Sequence, residues 1–191
     1  MAKIMKSRAF NPILRGLAKL WARVDRGIRR RILRRIRVSG TVELIFNSHQ
    51  FRMFSDWDDP IVDRLFFGGV DYSERTELSL FEAFARRSEQ ILDIGANTGL
   101  YSIISTQTNH RAMVHAFEPY PANFNRLTKN LELNKLSERV KTSKLAMGHE
   151  NDPISFTVPA SGQICDVSSV DGQFTRRYYK KWLSYVDIEV E

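Results

Sequence analysis

The chain has 191 residues, of which 42% are hydrophobic, enough to bury the core of one domain and to leave an appended segment. Its 29 basic and 22 acidic residues give a net charge of +7, but residues 1–38 hold 13 of the bases and one acid, so this segment carries +12 and the remainder −5. The single cysteine, Cys165, excludes a disulfide within the chain and favours a reducing cytoplasm.

Residues 1–38 are predicted to form a basic amphipathic helical extension. Apolar side chains recur there at helical spacing, and Arg and Lys fill the opposite face. The segment is too charged for a transmembrane span or a signal peptide. Two interpretations stay open: an interfacial helix on an anionic membrane, or a helix or basic arm belonging to the protein's own domain. Nucleic-acid binding is not expected, because no nucleic-acid module accompanies the basic run.

A β-hairpin is predicted over residues 41–54, where apolar and polar side chains alternate on either side of a turn at Asn47 and Ser48. An acidic stretch follows, and its spacing matches no calcium loop. We therefore interpret it as a solvated loop, with Pro60 in a plain turn, and predict no metal site. Its acidic residues are Asp56, Asp58, Asp59 and Asp63.

Residues 90–120 follow the order strand, glycine turn, helix, strand and acidic residue, which is typical of a nucleotide-binding βαβ unit. Asp93 ends the first strand and can accept hydrogen bonds from polar groups of a ligand. Gly95 and Gly99 permit a sharp turn and a close approach of the helix and of a ligand. Glu118 lies 25 residues after Asp93 and ends the second strand, where a carboxylate can accept from two vicinal ribose hydroxyls.

The spacing of the glycines indicates which nucleotide is bound. A dinucleotide fingerprint reads G-x-G-x-x-G, with the helix N-terminus directed at a pyrophosphate. Here the spacing is Gly95-x-x-x-Gly99, and Asn97 stands in place of the middle glycine. This favours a cofactor that has an adenosine but no diphosphate, and S-adenosylmethionine fits that description.

Residues 41–148 resemble the FkbM-type S-adenosylmethionine-dependent methyltransferases. The matching segments are ILDIGANTG, AFEPYPANFNRLTKNLELN and, at Lys144 to Gly148, KLAMG. The resemblance implies an α/β fold with a Rossmann-like class I methyltransferase sheet, and methyl transfer to an oxygen of a sugar or of a glycosylated small molecule. It also implies S-adenosylmethionine as the cofactor. The residues expected to bind the cofactor are Asp93, Gly95, Asn97, Gly99 and Glu118.

Several further elements flank the central unit. Helices are predicted over residues 76–87 and 121–134, strands over 140–146, 154–158 and 185–190, and a helix-like run over 174–183. The relatives implied by the resemblance carry a K-I-D-x-E-G motif on their next core strand, so residues 39–191 are expected to be the N-terminal portion of a longer methyltransferase domain. The predicted buried stripes are Leu78, Phe81 and Phe84 in the first helix, and Phe124, Leu127 and Leu131 in the second.

We expect an enzyme of the cytoplasm, with the inner face of the membrane as a second location, acting on a small-molecule or glycan acceptor. A membrane-docked cofactor-binding or scaffold protein without turnover is the alternative. A sugar hydroxyl needs a general base or a metal, because it is barely ionised at neutral pH. No base is assigned from the sequence. The histidines that could serve are His49, His110, His115 and His149.

Overall fold

The computed structural model describes residues 37–68, 75–148, 154–164 and 185–190. The chain divides into two compact units, residues 1–75 and 76–191. The predicted extension lies outside the described residues except for Arg37 and Val38, and the predicted run 174–183 lies wholly outside them, so both stay predictions, as do the domain bounds 1–38 and 39–191. In the described part of the chain, none of the helices combines the length and apolar character that crossing a bilayer requires.

The first unit contains the predicted hairpin, which the structure confirms. Strand β1 (Ser39–Phe46) pairs antiparallel with β2 (His49–Asp56), and Phe46 lies opposite His49 across a two-residue turn. Alternate residues of β1 are buried because successive side chains of a strand point to opposite faces. Buried strand residues and those of the following helix, α1 (Pro60–Gly68), supply the core of this unit.

The prediction of a solvated acidic loop is wrong for Asp59 and Asp63. Asp59 is fully buried and accepts from the backbone N–H groups of Ile61 and Val62, as the N-terminal cap of a helix does. Asp63 accepts from the N–H of Val38 at 2.8 Å and pairs with Arg37. Both carboxylates can be buried because backbone N–H groups donate the hydrogen bonds that water would otherwise supply. Pro60 likewise begins α1 and is not part of a plain turn.

Replacing Asp59 with alanine should lower the free energy of unfolding by about 1 kcal/mol, because two N–H groups of the first turn of α1 lose their acceptor. Asp58→Ala is the matched control, since that neighbouring carboxylate accepts instead from the N–H of Asp56 in an exposed bond. Chemical denaturation measures both variants. Equal stability of the two would show that the cap contributes nothing.

The second unit begins within the predicted helix 76–87, which the structure places at Arg75–Ala85 (α2). Leu78 is fully buried as expected, but the prediction that Phe84 faces inward is wrong, because its side chain is 65% exposed. Phe84 follows Leu78 by six residues, which places it about 120° away around the helix. The position on the buried side is taken by Glu82, whose carboxylate pairs with Arg86 at 2.7 Å.

A parallel sheet with helical crossovers forms the centre of the second unit and confirms the α/β class. The order along the chain is β3 (Gln90–Ile94), α3 (Leu100–Thr108), β4 (Met113–Phe117), α4 (Pro121–Leu133) and β5 (Val140–Ser143). The strands lie side by side in the order β3-β4-β5, all parallel. Strand β5 ends three residues before the predicted position. The carboxyl ends of β3 and β4 therefore meet at one edge of the sheet.

In the part of the chain that the structure describes, one face of this sheet is covered by helix and the other is exposed. Helix α3 packs against β3 and β4, and successive right-handed crossovers bring α4 to the same side. On the opposite face Leu92, Ile94 and Met113 are 58%, 59% and 67% exposed.

The last two strands are found where the sequence predicts them. Strand β6 (Ile154–Pro159) pairs antiparallel with β7 (Tyr185–Val190). Their apolar side chains pack with Tyr120, the residue that directly precedes α4, and the Tyr120 hydroxyl donates to the carbonyl oxygen of Gln163 at 3.1 Å. This contact anchors the small antiparallel sheet to the segment that follows β4.

Candidate cofactor site

The five residues predicted to bind a cofactor lie together at the carboxyl edge of the parallel sheet. Asp93 is the fourth residue of β3, and Glu118 directly follows β4, the neighbouring strand. The turn of residues 95–99 connects β3 to α3. In open α/β sheets this edge is where ligands bind.

The turn has an unusual concentration of left-handed backbone. Gly95, Asn97 and Gly99 have φ angles of 74°, 52° and 93°, a region that other residue types seldom enter and that asparagine tolerates better than most. The N–H groups of Gly95 and Ala96 both donate to the carbonyl oxygen of Phe117 at 2.9 Å. The turn is therefore fixed to the end of β4 by its own backbone.

Gly99 is required by packing as well as by conformation. A Cβ atom at this position would lie 2.6 Å from Cδ1 of Leu127, far inside van der Waals contact. Leu127 is fully buried on α4. The missing side chain thus lets α4 pack directly against the start of α3. At Gly95, by contrast, a Cβ would meet nothing within 4 Å, so this side of the turn is open to a ligand.

Glu118 is turned into the protein and holds the turn in place. Its side chain is 3% exposed. One carboxylate oxygen accepts from the N–H of Asn97 at 2.8 Å and the other from the N–H of Tyr120 at 3.0 Å, and the Asn123 side chain also bonds to it. A carboxylate has about four acceptor positions. Three are engaged by described residues, which leaves about one for a ligand hydroxyl rather than the two that the sequence predicts.

Both carboxyl groups of the site are harder to ionise than usual. Burial raises the pKa of Glu118, against the opposing effect of its hydrogen bonds from Tyr120, Asn97 and Asn123, and the nearby Asp93 charge raises it further. Burial also raises the pKa of Asp93, although Ser102 donates to this carboxylate from its hydroxyl at 2.6 Å and from its backbone. Two acids close together in a partly dry site disfavour a second negative charge.

The raised pKa of Glu118 predicts a specific dependence of stability on pH. A carboxyl group whose pKa is higher in the folded state stabilises that state fully below its unfolded value, near 4.5, and loses this contribution as the pH rises through the folded pKa. Compared with Glu118→Gln, the wild-type chain should therefore become progressively less stable as the pH rises from about 4.5 through the folded pKa of Glu118. Chemical denaturation of both proteins at a series of pH values measures this dependence of the unfolding free energy on pH. Wild-type stability that rises relative to that of Glu118→Gln as the pH increases would contradict the expected sign.

The histidines of the second unit do not approach the turn in the described part of the chain. His115 lies opposite Leu92 in the β3–β4 register and shares the exposed face, whereas Asp93 points to the other side. Its Nε2 is 2.9 Å from Oγ of Ser143, and burial followed by the charge of Lys141 lowers its pKa. His110 lines a cleft of about 420 Å³ at the amino edge of the sheet. Neither can serve as a base at the turn.

Asparagines on α4 were missed by the sequence analysis. The predicted buried stripe contains Phe124, which is only half-buried, whereas Asn123 and Asn130 are buried almost completely beside Leu127. Asn130 Nδ2 donates to the carbonyl oxygen of Thr98 at 2.7 Å. The available signal was their spacing, since positions 123, 127 and 130 share one helix face on which two amides interrupt the apolar pattern.

A cofactor is compatible with the residues of the site. The Thr98 hydroxyl is fully buried and has no hydrogen-bond partner among the described residues, and the exposed Gly95 leaves the turn approachable. Among the same residues, no three His, Cys, Asp or Glu side chains are grouped so that they could hold a metal ion.

Comparisons with known proteins give partial matches to solved structures. No family model and no curated protein matches the chain. A SAM-dependent methyltransferase from Agrobacterium tumefaciens is 12% identical with a TM-score of 0.42, over 57% of this chain and 33% of its own. The S-adenosylmethionine-dependent methyltransferase SibL, in its apo form, is 19% identical with a TM-score of 0.37, over 50% and 28%. TYW2 from P. horikoshii, in complex with MeSAdo, is 14% identical with a TM-score of 0.38, over 96% and 85%.

The chain spans about a third of the length of the first two of these structures. The resemblance to FkbM-type enzymes stays a prediction from the sequence.

Proposed function

We propose that the turn of residues 95–99 binds S-adenosylmethionine and that the protein is a methyltransferase. The observation that carries the proposal is that four backbone N–H groups of the turn already donate to protein acceptors. A pyrophosphate is held by such N–H groups when they are free. The engaged donors are those of Gly95, Ala96, Asn97 and Gly99.

Charge supports the same choice of cofactor. Asp93 and Glu118 are two carboxyl groups at neighbouring strand ends, and the charge of one is felt by the other. A ligand with phosphate groups would add negative charge to this edge, whereas a sulfonium adds a positive one. The cofactor supplies an activated methyl group when bound. The chain's own residues bind its polar groups and orient it.

The polar groups of the site have separable roles in this proposal. Asp93, fixed by Ser102, accepts from a polar group of the cofactor at the end of β3. The acceptor position remaining on Glu118 takes one ribose hydroxyl, while its other positions hold the turn. The left-handed backbone at Asn97 and Gly99 shapes the surface against which the cofactor lies.

The methyl acceptor in this proposal is an oxygen of a sugar or of a glycosylated small molecule, as the sequence resemblance implies. The test is transfer of label from methyl-tritiated S-adenosylmethionine to a panel of sugars, glycosylated small molecules, carboxylic acids and amines. Label should enter the hydroxylated acceptors and survive hot alkali, because methyl ethers resist hydrolysis whereas methyl esters release methanol. Label found only in amines, or released by alkali, would contradict transfer to a hydroxyl.

Residues 1–38 are proposed to bring the enzyme to an anionic membrane surface, supported by their charge of +12. Arg37 and Val38 contact Asp63, so a truncated protein should begin at Arg37 and keep that contact. Vesicle co-sedimentation should then retain the intact chain on anionic lipid, with binding that weakens in salt, and release the truncated one. Equal co-sedimentation of the intact and truncated proteins with anionic vesicles would contradict the proposal.

A further inference from the structure

Helix α4 contacts the cofactor turn at two points and, at a third, the Glu118 carboxylate that holds the turn. Asn123 bonds to Glu118, Leu127 lies against Gly99, and Asn130 donates to the carbonyl oxygen of Thr98. These three residues are spaced four and three apart, so they lie on one face of the helix. One face of α4 therefore supports both the turn and the carboxylate that holds it.

The bond from Asn130 acts on one peptide group. The Thr98 carbonyl and the Gly99 N–H belong to the same planar unit. Asn130 Nδ2 holds the carbonyl end at 2.7 Å, and the carbonyl oxygen of Ala96 holds the N–H end at 2.8 Å. This peptide is fixed from both sides.

A peptide next to a glycine is the one most able to rotate. Without a Cβ, Gly99 can exchange its φ of 93° for a negative value at little conformational cost. Such a flip would reverse the carbonyl and N–H at the start of α3, where the cofactor approaches. The fully buried Asn130 opposes it, because a flipped carbonyl would leave the buried amide without its acceptor.

We propose that Asn130 is a positioning residue that locks the Thr98–Gly99 peptide in the orientation that binds the cofactor. The inference rests on the proposed function. Asn130 does not touch the cofactor and acts through the turn. Without the lock the turn populates two orientations, and the apparent affinity falls by the fraction that remains competent.

Two variants of Asn130 test the lock, with S-adenosylhomocysteine as the ligand in calorimetry. Asn130→Leu has a similar volume and no donor, and its affinity should be about five- to tenfold lower than wild type. Asn130→Asp has the same shape and can donate only while protonated, so its loss of affinity should increase with pH. Leu131→Ala is the control, a buried neighbour on α4 whose loss should lower stability and leave the affinity of the folded protein unchanged. Affinity of Asn130→Leu within twofold of wild type would overturn the proposal.

Hydrogen exchange of the wild-type chain gives a test that does not need the variants to fold or the ligand to bind. The amide of Gly99 should be protected without ligand, because its peptide is already locked. Exchange of this amide at the rate of an unstructured peptide would overturn the lock. If the wild-type chain shows that protection but does not bind S-adenosylhomocysteine, the proposed function fails, although the Thr98–Gly99 peptide is fixed.

Discussion

Replacing Gly99 with alanine should abolish cofactor binding and lower the free energy of unfolding by roughly 2–5 kcal/mol. The backbone at φ 93° disfavours a side chain by about 1–2 kcal/mol. The new Cβ would also lie 2.6 Å from Leu127 Cδ1, and forcing atoms into a packed core costs about 1–3 kcal/mol. Leu127 cannot move away freely, because it is fully buried. Relief of the overlap therefore requires a strained Leu127 side chain or a shift of α4 or of the turn.

Two other glycines separate the contributions to this effect. Gly95→Ala and Gly40→Ala introduce a side chain at φ 74° and 89°, but neither Cβ would meet an atom within 4 Å. Both variants should be destabilised only by the cost of placing a side chain on left-handed backbone, about 1–2 kcal/mol. Gly40→Ala, which is in the first unit, should bind S-adenosylhomocysteine as the wild type does. If Gly99→Ala is no less stable than Gly40→Ala, the close packing of α4 against the turn is wrong.

Replacing Glu118 with alanine should lower both stability and cofactor affinity. The N–H groups of Asn97 and Tyr120 lose their acceptor, at a cost of about 1–3 kcal/mol for each buried group left unpaired. The affinity for S-adenosylhomocysteine should fall more than tenfold, because the turn is released and, in the proposed site, a ribose hydroxyl loses its acceptor.

The matched control for Glu118→Ala is Glu132→Ala, which removes an exposed carboxylate from α4. It should change stability by less than about 0.5 kcal/mol and leave binding intact. Denaturation and calorimetry on both variants separate the two roles of Glu118. If Glu118→Ala is destabilised but the folded protein binds as well as wild type, Glu118 only supports the fold.

The elements of the fold that depend on apolar periodicity could be predicted from the sequence. The hairpin around Asn47, the order of β3, α3 and β4, and the positions of β6 and β7 follow from patterns that alternate or repeat within a few residues. The Pro121 at the first position of α4 and the end of that helix near Asn134 follow from capping preferences. These elements can be predicted because each depends on residues that are close together in the sequence.

The sequence could not show which polar side chains become buried. Asp59, Asp63 and Asn130 are polar and were expected at the surface or passed over, yet each is buried against a backbone group distant in sequence or at a helix end. The same holds for Glu118, whose type and position were predicted but whose inward orientation was not. Such burial depends on a partner that three-dimensional packing supplies, and no periodicity in the sequence encodes it.

The most direct test of the cofactor assignment is a calorimetric titration of the intact chain with S-adenosylhomocysteine and, separately, with NAD. Binding of one S-adenosylhomocysteine per chain is expected, with no measurable heat from NAD at the same concentrations. The N–H groups that could hold a pyrophosphate already donate to protein acceptors, namely those of Gly95, Ala96, Asn97 and Gly99. Tighter binding of NAD, or no binding of S-adenosylhomocysteine, would contradict the assignment of this turn to S-adenosylmethionine.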